Sequence, residues 1–216
     1  MSCKLWFGRK SNYRCKDCGR QFVGDHNVNY RICHSGADRL VWKMTARCCG
    51  IRDRCAITGY GRGKVLAVLK RSTHQTCPER THYQTLQVDE FWTFVGKKRN
   101  KAWLVYAWDQ ESGKMVAHVW GMRDLATVMQ PKQRLKESGV TYGQIASDNW
   151  SAFLKAFQGD IHQVGKQHTV GIEGNNCRLR QRIRRAVCRT CCFSKKILYH
   201  LRAFAIGFFY INYGFI

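Results

Sequence analysis

The second half of the chain alternates short apolar runs with polar turns. The runs at 86–95, 102–108 and 115–120 are rich in β-branched and aromatic residues, and the short polar segments 96–101 and 110–113 join them. This pattern predicts three antiparallel strands in a meander. The pattern further along predicts, in order, a helix at 125–138, a strand at 145–148, a helix at 150–157, a strand at 162–166 and a helix from 172. We therefore expect an α/β fold with a mixed sheet covered by helices.

Two features bear on the helix assignments in this domain. Pro131 lies inside the predicted helix at 125–138 and either interrupts it or begins a shorter helix, because proline has no backbone N–H to donate. The apolar tract at 203–216 is 14 residues long, whereas a membrane-spanning helix needs about 20. We expect this tract to be a core helix or strand that closes the domain, with no membrane partner.

Three short amphipathic segments precede the strands, at 38–47, 51–58 and 62–70. Their spacing predicts a helix-turn-helix module over 36–71, followed by a linker at 72–84. The apolar positions expected to form its small core are Leu40, Val41, Met44, Ile51, Ile57, Val65, Leu66 and Leu69. The basic side chains expected outside it, as DNA contacts, are Arg52, Arg54, Arg62 and Lys64. The alternative is a helical linker with a solvated basic face; Gly61 and Gly63 weaken the third helix.

The first 35 residues contain a cysteine pair of the kind found in zinc knuckles. Cys15 and Cys18 are separated by two residues, and Gly19 allows the turn between metal ligands to close. Cys33 and His34 could complete a tetrahedral Zn²⁺ site downstream. The alternative is a degenerate knuckle that no longer binds metal.

Charge points to a polyanionic partner. The 216 residues include 37 Lys and Arg against 14 Asp and Glu, a formal net charge of +23. Such a surface binds nucleic acid with strong salt dependence, because phosphate contacts release counterions; the alternative is a composition that serves solubility. The 12 cysteines are not preceded by a signal-peptide pattern, so we expect the reducing cytoplasm rather than a secreted disulfide scaffold.

Three acids lie where a short apolar run ends or a helix begins, and the first of them is carried by the predicted strand at 86–95. Asp89 follows an apolar run, Asp148 ends the strand at 145–148, and Glu173 begins the helix that starts at 172. Three converging carboxylates can hold two divalent cations about 4 Å apart, an arrangement that catalyses phosphoryl transfer. The alternative is that Asp89 and Asp148 are ordinary strand-end or helix-capping residues.

The helix after Glu173 is strongly basic. Helical spacing puts Glu173, Cys177, Arg180 and Arg184 on one face, while Leu179, Ile183 and Val187 form another face that can dock on the sheet. Between 178 and 196 there are eight basic residues and no acid, which predicts contact with a phosphate backbone. The side chains expected to bind DNA here are Arg178, Arg180, Arg184 and Arg185. Trp92, Trp150 and His168 could contact displaced nucleotides, although tryptophans at such positions are more often core residues.

Several motifs resemble one family of bacterial transposases. The matching stretches are Gln87–Gly96, Ser147–Trp150, Gly165–Glu173, Cys177–Arg180, Cys191–Lys196 and Phe209–Ile216, with 24 residues between the second and third acids. Together they are similar to transposases of the IS-one family of insertion sequences. The family's usual second Cys-x-x-Cys pair, upstream of Cys15, is missing here; only Cys3 lies in that region.

The resemblance implies a transposase with a ribonuclease-H-like catalytic domain over 85–216. It implies Asp89, Asp148 and Glu173 as catalytic metal ligands for Mg²⁺ or Mn²⁺, and Arg180 as a contact to the DNA end. It also implies a homo-oligomer on DNA that binds the element's terminal repeats and target DNA, in a bacterial cytoplasm and associated with the nucleoid. Two other functions stay open: a ribonuclease-H-like nuclease without strand transfer, and an inactive DNA-binding protein derived from a transposase.

Overall fold

A computed structural model describes residues 2–4, 12–14, 21–23, 37–188 and 193–216. The chain divides into two compact units, Met1–Ala37 and Asp38–Ile216. In the first unit, strands β1 (Ser2–Lys4), β2 (Asn12–Arg14) and β3 (Gln21–Val23) form a three-stranded antiparallel sheet. The proposed zinc ligands Cys15, Cys18, Cys33 and His34 lie outside the described residues.

Three helices begin the second unit, α1 (Ala37–Ala46), α2 (Ile51–Thr58) and α3 (Arg62–Arg71), close to the predicted bounds. Gly59 ends α2 in the left-handed conformation with φ 67°, which favours glycine. Gly61 caps α3 rather than weakening its interior. Two core predictions are wrong, because Leu40 is 44% exposed and Ile57 is 64% exposed.

The core of these helices is shared with the C-terminal helix α7 (Ile197–Tyr213). Val41, Val65 and Leu69 are fully buried in one cluster with Ile206 of α7 and with Ile216. The three helices therefore belong to the same compact unit as the sheet described next. Their assignment as a helix-turn-helix stays a prediction.

The second sheet has five strands in the order β6-β5-β4-β7-β8. Its strands are β4 (His82–Phe94), β5 (Lys101–Asp109), β6 (Lys114–Gly121), β7 (Thr141–Ser147) and β8 (His162–Val164). Strands β4, β5 and β6 form the predicted antiparallel meander, while β7 pairs parallel to both β4 and β8. The expected mixed α/β architecture is confirmed, with β4 at the centre of the sheet.

Helices cover both faces of this sheet, and successive residues of β4 point to opposite faces. Leu86 and Val88 pack in a cluster that also contains residues of α4 (Leu125–Glu137) and α5 (Ser151–Ala156). Phe91 packs in a second cluster with residues of α6 (Val170–Arg182) and α7. The odd-numbered residues from Gln87 to Thr93 therefore lie on the face covered by the segment that contains α6 and α7, whereas Tyr83 at the start of β4 packs in the first cluster.

Pro131 neither interrupts α4 nor begins a shorter helix, so both alternatives expected for it are wrong. Pro131 is buried inside the helix, which continues to Glu137. The other end of the helix is capped, since the side chain of Asp124 accepts a hydrogen bond of 2.8 Å from the backbone N–H of Thr127. Across the described ranges, no helix is long and apolar enough to cross a membrane.

Candidate active site

Asp89 lies in the middle of β4, on the face covered by α6. Its Oδ2 accepts a hydrogen bond of 2.6 Å from Nδ2 of Asn176, and its Oδ1 accepts one of 2.8 Å from the backbone N–H of Glu90. The pKa of Asp89 is raised to about 7, mainly by burial and in part by the negative charges of Glu90 and Asp148. Both hydrogen bonds act in the opposite direction, because they stabilise the charged form.

Asp148 follows directly after β7, the parallel neighbour of β4. In the parallel pairing of β4 with β7, Gln87 lies opposite Ala146. Asp89 and Asp148 each follow two residues later in the chain, so they lie at corresponding positions. The charge of Asp148 contributes to the raised pKa of Asp89. Asp148 also accepts a hydrogen bond of 3.1 Å from the backbone N–H of Trp150, just before α5. This bond lies before the helix and does not cap it, because the N-cap residue of α5 is Trp150, so the expectation that Asp148 caps a helix is wrong.

Glu173 is exposed in the first turn of α6. Oε1 of Gln87 accepts a hydrogen bond of 2.7 Å from the backbone N–H of Ile172, which joins the start of α6 to β4. Asn176, the residue bonded to Asp89, lies three positions after Glu173, and residues at this spacing share one side of a helix. Asn176 is buried against β4, whereas Glu173 lies on the exposed side of α6, one turn before it.

The three acids do not form a ready-made metal site in this structure. Within 37–188 and 193–216 and the short N-terminal strands, no group of three or more His, Cys, Asp or Glu side chains is arranged to hold a metal ion. The half-buried pair Asp89 and Asp148 nevertheless has the chemistry that a cation requires, because two neighbouring carboxylates are stabilised by positive charge. Carboxylate oxygens are also the ligands that hard divalent cations prefer.

Three further side chains, none of them predicted from the sequence, form hydrogen bonds next to the two aspartates or to their neighbours in the chain. The hydroxyl of Tyr106 donates a hydrogen bond of 2.8 Å to Oδ1 of Asn176, which turns the amide N–H₂ toward Asp89. On the opposite face of β4, Arg123 donates hydrogen bonds of 3.1 Å and 2.7 Å to Oε1 of Glu90. The guanidinium of Arg123 lies 4.5 Å from the ring centroid of Trp150. Asn176 could have been found by its spacing from Glu173, but nothing local in the sequence indicates Arg123.

The structure separates the predicted DNA-binding side chains by exposure. The exposed ones are Arg52, Arg62, Lys64, Arg180 and Arg184. Arg180 stays on the exposed side of α6 with Glu173 and Cys177, as expected, and its guanidinium lies 4.6 Å from the ring centroid of Phe91.

Three arginines were wrongly expected to be free surface contacts. Arg54 and Arg185 are only 3% and 8% exposed. Arg178 is half-buried and donates hydrogen bonds to the carbonyl of Gly113 (2.7 Å) and to Oδ1 of Asn175 (3.1 Å). Arg184 and Arg185 also lie beyond the end of α6 at Arg182, so Arg184 does not extend the helical face of Glu173.

Trp92, Trp150 and His168, the predicted nucleotide contacts, differ in how far they are exposed and in what they contact. Trp92 is 37% exposed with Lys101 5.6 Å from its ring centroid, so its assignment as a core residue is wrong. Trp150 is half-buried and packs edge-on against Phe153. His168 borders a polar cavity of about 250 Å³ that Gln87 also lines, near the start of α6. A contact between His168 and the substrate stays a prediction.

The mixed sheet with helices on both faces, the two neighbouring aspartates and the basic exposed side chains define an α/β protein with an acidic pair and a basic surface. A profile for IS1 transposase matches residues 84–214, which is more than half of the chain. The chain belongs to the IS1 transposase family. Membership implies a role in the transposition of an insertion element, with DNA as the partner.

Curated relatives agree with this assignment. The insertion element iso-IS1n protein InsB of Shigella dysenteriae is 35% identical over 114 residues, which cover 53% of this chain and 86% of that protein. The IS1 protein InsB of Shigella flexneri is 34% identical over the same shares of both chains. The IS1 2 protein InsB of Escherichia coli K12 is 33% identical, covering 53% of this chain and 67% of that protein.

Part of the chain is also similar to a solved structure. A chain in the cryoEM structure of the simian T-cell lymphotropic virus intasome in complex with the PP2A regulatory subunit B56 gamma aligns with a TM-score of 0.36 and 15% identity. The alignment covers 65% of this chain and 58% of that chain.

Proposed function

We propose that this chain is a metal-dependent transposase that cleaves DNA at the ends of its insertion element and joins the freed 3′-hydroxyl to target DNA. Its catalytic domain is proposed to be ribonuclease-H-like, with Asp89, Asp148 and Glu173 as catalytic acids. The observation that carries the proposal is geometric: Asp89 and Asp148 lie two residues beyond a paired position of β4 and β7, and Asn176 and the backbone N–H of Glu90 hold the half-buried Asp89. The raised pKa of Asp89 agrees with this placement. Such a pair is costly without a cation and is common at functional sites.

Mg²⁺ or Mn²⁺ suits these ligands. Asp89 and Asp148 would share the ions, and Glu173 would complete the set from the first turn of α6. When bound, two such ions activate the attacking oxygen and stabilise the leaving oxygen of an in-line phosphoryl transfer.

The chain's own side chains orient the first ligand. Asn176 and the backbone N–H of Glu90 each bind one oxygen of Asp89, and Tyr106 fixes the orientation of the Asn176 amide. A carboxylate has about four lone-pair positions, so two hydrogen bonds leave positions for other partners. The network therefore holds the carboxylate in one orientation without saturating it.

Exposed cations are proposed to hold the DNA. Arg180 lies about two helical turns beyond Glu173 on the same exposed side of α6, which suits a contact near the cleaved phosphate. Arg52, Arg62, Lys64 and Arg184 are proposed as further backbone contacts. Binding two element ends at once requires a homo-oligomer, and Cys15, Cys18, Cys33 and His34 are proposed to bind Zn²⁺ in the N-terminal segment.

The test replaces the proposed third acid without changing its shape. Purified Glu173→Gln protein is incubated with labelled element-end DNA, target DNA and Mg²⁺, and binding, nicking and joined products are measured separately. We expect unchanged end binding and a loss of cleavage of about 100-fold or more, because a lost metal ligand removes several kcal/mol of transition-state stabilisation. The matched control is Glu137→Gln, which removes the same charge from an exposed position on α4.

Each outcome separates the candidate functions. Full strand transfer by the Glu173→Gln protein would refute the assignment of the catalytic acids. Nicks without joined products in the wild type would identify a nuclease instead. Specific binding with no metal-dependent cleavage would identify a DNA-binding derivative.

A further inference from the structure

Two basic segments that lie far apart in the sequence meet at one cavity. The cavity has a volume of about 410 Å³ within the unit Asp38–Ile216. Arg52 and Arg54 of α2 line it from one side, and Arg184 and Arg185, which follow α6, line it from the other. Four guanidinium-bearing residues therefore surround one space, although the sequence places them in separate predicted DNA-binding segments.

Arg54 is buried and makes no ion pair among the described residues, although the negative charge of nearby Asp53 offsets part of the effect of burial on its pKa. Its Nη1 donates a hydrogen bond of 2.7 Å to Oγ1 of Thr45, and its Nε donates one of 3.2 Å to the carbonyl of Gly50. Both acceptors are neutral. Asp53 also lines the cavity, but its Oδ2 accepts a hydrogen bond of 2.8 Å from the backbone N–H of Gly50. In the described ranges, no carboxylate lies within salt-bridge distance of Arg54.

Arg185, on the other side of the cavity, is also buried and also bonded to a neutral acceptor. It is 8% exposed and donates a hydrogen bond to the backbone carbonyl of Tyr199, another neutral acceptor. Burial, together with a smaller effect from the positive charge of Arg54, lowers the pKa of Arg185 to about 10. Burial likewise lowers the pKa of Arg54 to about 10. Two desolvated cations that repel each other are stabilised by an anion placed between them.

We propose that this cavity binds a phosphate group through the guanidinium groups of Arg54 and Arg185, with Arg52 at its exposed side. Arginine suits phosphate because its planar group donates two parallel hydrogen bonds to a pair of oxygens. The two buried arginines are more than nine-tenths removed from solvent, so their partner must enter the cavity to reach them.

The phosphate can belong to a DNA backbone or be a free anion. The end of α6 lies about 14 Å from Glu173, since a helix rises 1.5 Å per residue. Successive phosphates of one strand lie about 3.4 Å apart along the duplex axis, so a backbone phosphate here would be about four nucleotides from the one cleaved. This distance rests on the proposed function; the phosphate site itself does not.

The first experiment measures the melting temperature of the metal-free full chain in sodium phosphate and in sodium chloride of equal ionic strength. At ten times its Kd, phosphate should raise the melting temperature by about 3–6 °C beyond chloride. Arg54→Lys keeps the charge but loses the two-pronged donor, so phosphate affinity should fall about tenfold or more. Arg52→Ala, which changes an exposed residue, should weaken phosphate binding several-fold without affecting folding.

Lys136→Ala is the matched control, because it removes an exposed charge from α4 outside the cavity. The proposal is overturned if phosphate stabilises the wild type no more than chloride does. It is also overturned if Arg52→Ala and Arg54→Lys bind phosphate as tightly as Lys136→Ala does.

A second experiment identifies the source of the phosphate. Inorganic phosphate is added to a complex of the protein with a fluorescent duplex, again against matched chloride and without divalent metal. Competition in the wild type that is lost in Arg54→Lys identifies a backbone phosphate as the ligand. Saturable phosphate binding without competition identifies a free anion. Neither result depends on cleavage, so failure here is distinct from failure of the Glu173→Gln test.

Discussion

The hydrogen bond between Asn176 and Asp89 gives the most direct test of the candidate site. Nδ2 of Asn176 lies 2.6 Å from Oδ2 of Asp89, and this contact holds the pKa of Asp89 lower than burial alone would set it. Replacing Asn176 with alanine removes the donor and leaves the carboxylate with the backbone N–H of Glu90. The charged form of Asp89 should then be less stable, and its pKa should rise.

The size of the rise follows from the strength of such bonds. A hydrogen bond to a charged group contributes about 1.5–3 kcal/mol, and 1.36 kcal/mol corresponds to one pH unit. Asn176→Ala should therefore raise the pKa of Asp89, now about 7, by about one to two pH units. Cation binding at Asp89 would then require higher pH, because a proton competes for the same oxygens.

Carbon NMR of aspartate carboxyl groups in the metal-free protein measures this pKa directly, with Asp89→Asn to assign the resonance. Asn175→Ala is the matched control, because Asn175 is equally a buried asparagine of α6 but its Nδ2 donates to the hydroxyl of Tyr106. The reasoning fails if Asn176→Ala leaves the pKa of Asp89 unchanged or lowers it, or if Asn175→Ala raises it by the same amount.

Two further predictions concern stability and metal content. The pKa of Asp89 is higher in the folded chain than its ordinary value near 3.8, so the stability it contributes is complete below about pH 4 and is lost as pH rises through about 7. In urea unfolding at pH 8, the Asp89→Asn protein should therefore be more stable than the metal-free wild type by about 2–4 kcal/mol. Near pH 4 the two proteins should have the same free energy of unfolding. A difference that does not change with pH would contradict this reasoning. Protein purified without chelators should contain about one zinc per chain and lose it in Cys18→Ser, whereas zinc-free wild-type protein would refute the proposed ligands.

Local pattern was sufficient for most helices and strands of the second unit. Helix α2 has its predicted bounds, Ile51–Thr58, because Gly50 and Gly59 mark both ends. Strand β4 begins four residues earlier than the predicted 86, since His82 and Thr85 pair with Thr141 and Gln144 of β7. That partner is remote in sequence, so polar residues could join the strand without any local apolar signal.

The candidate site was predictable only in part. The placement of Asp148 after a strand and of Glu173 at a helix start, together with the motif resemblance that also includes Asp89, pointed to the three acids. The network around them was not visible, because Tyr106 reaches Asn176 across 70 positions and Arg123 reaches Glu90 across 33. Such contacts depend on which strand pairs with which and on where a helix crosses the sheet.

The sequence by itself determined the order of elements in the α/β domain, the excess of positive charge and the three acids that carry the proposed chemistry. Tertiary structure decided which charges are buried. Arg52 and Arg54 are two residues apart on one short helix, yet one is exposed and the other is 3% exposed. Helical periodicity shows only that these two side chains point in different directions. The segments that pack against α2 come from elsewhere in the chain, and their position determines which direction is the interior.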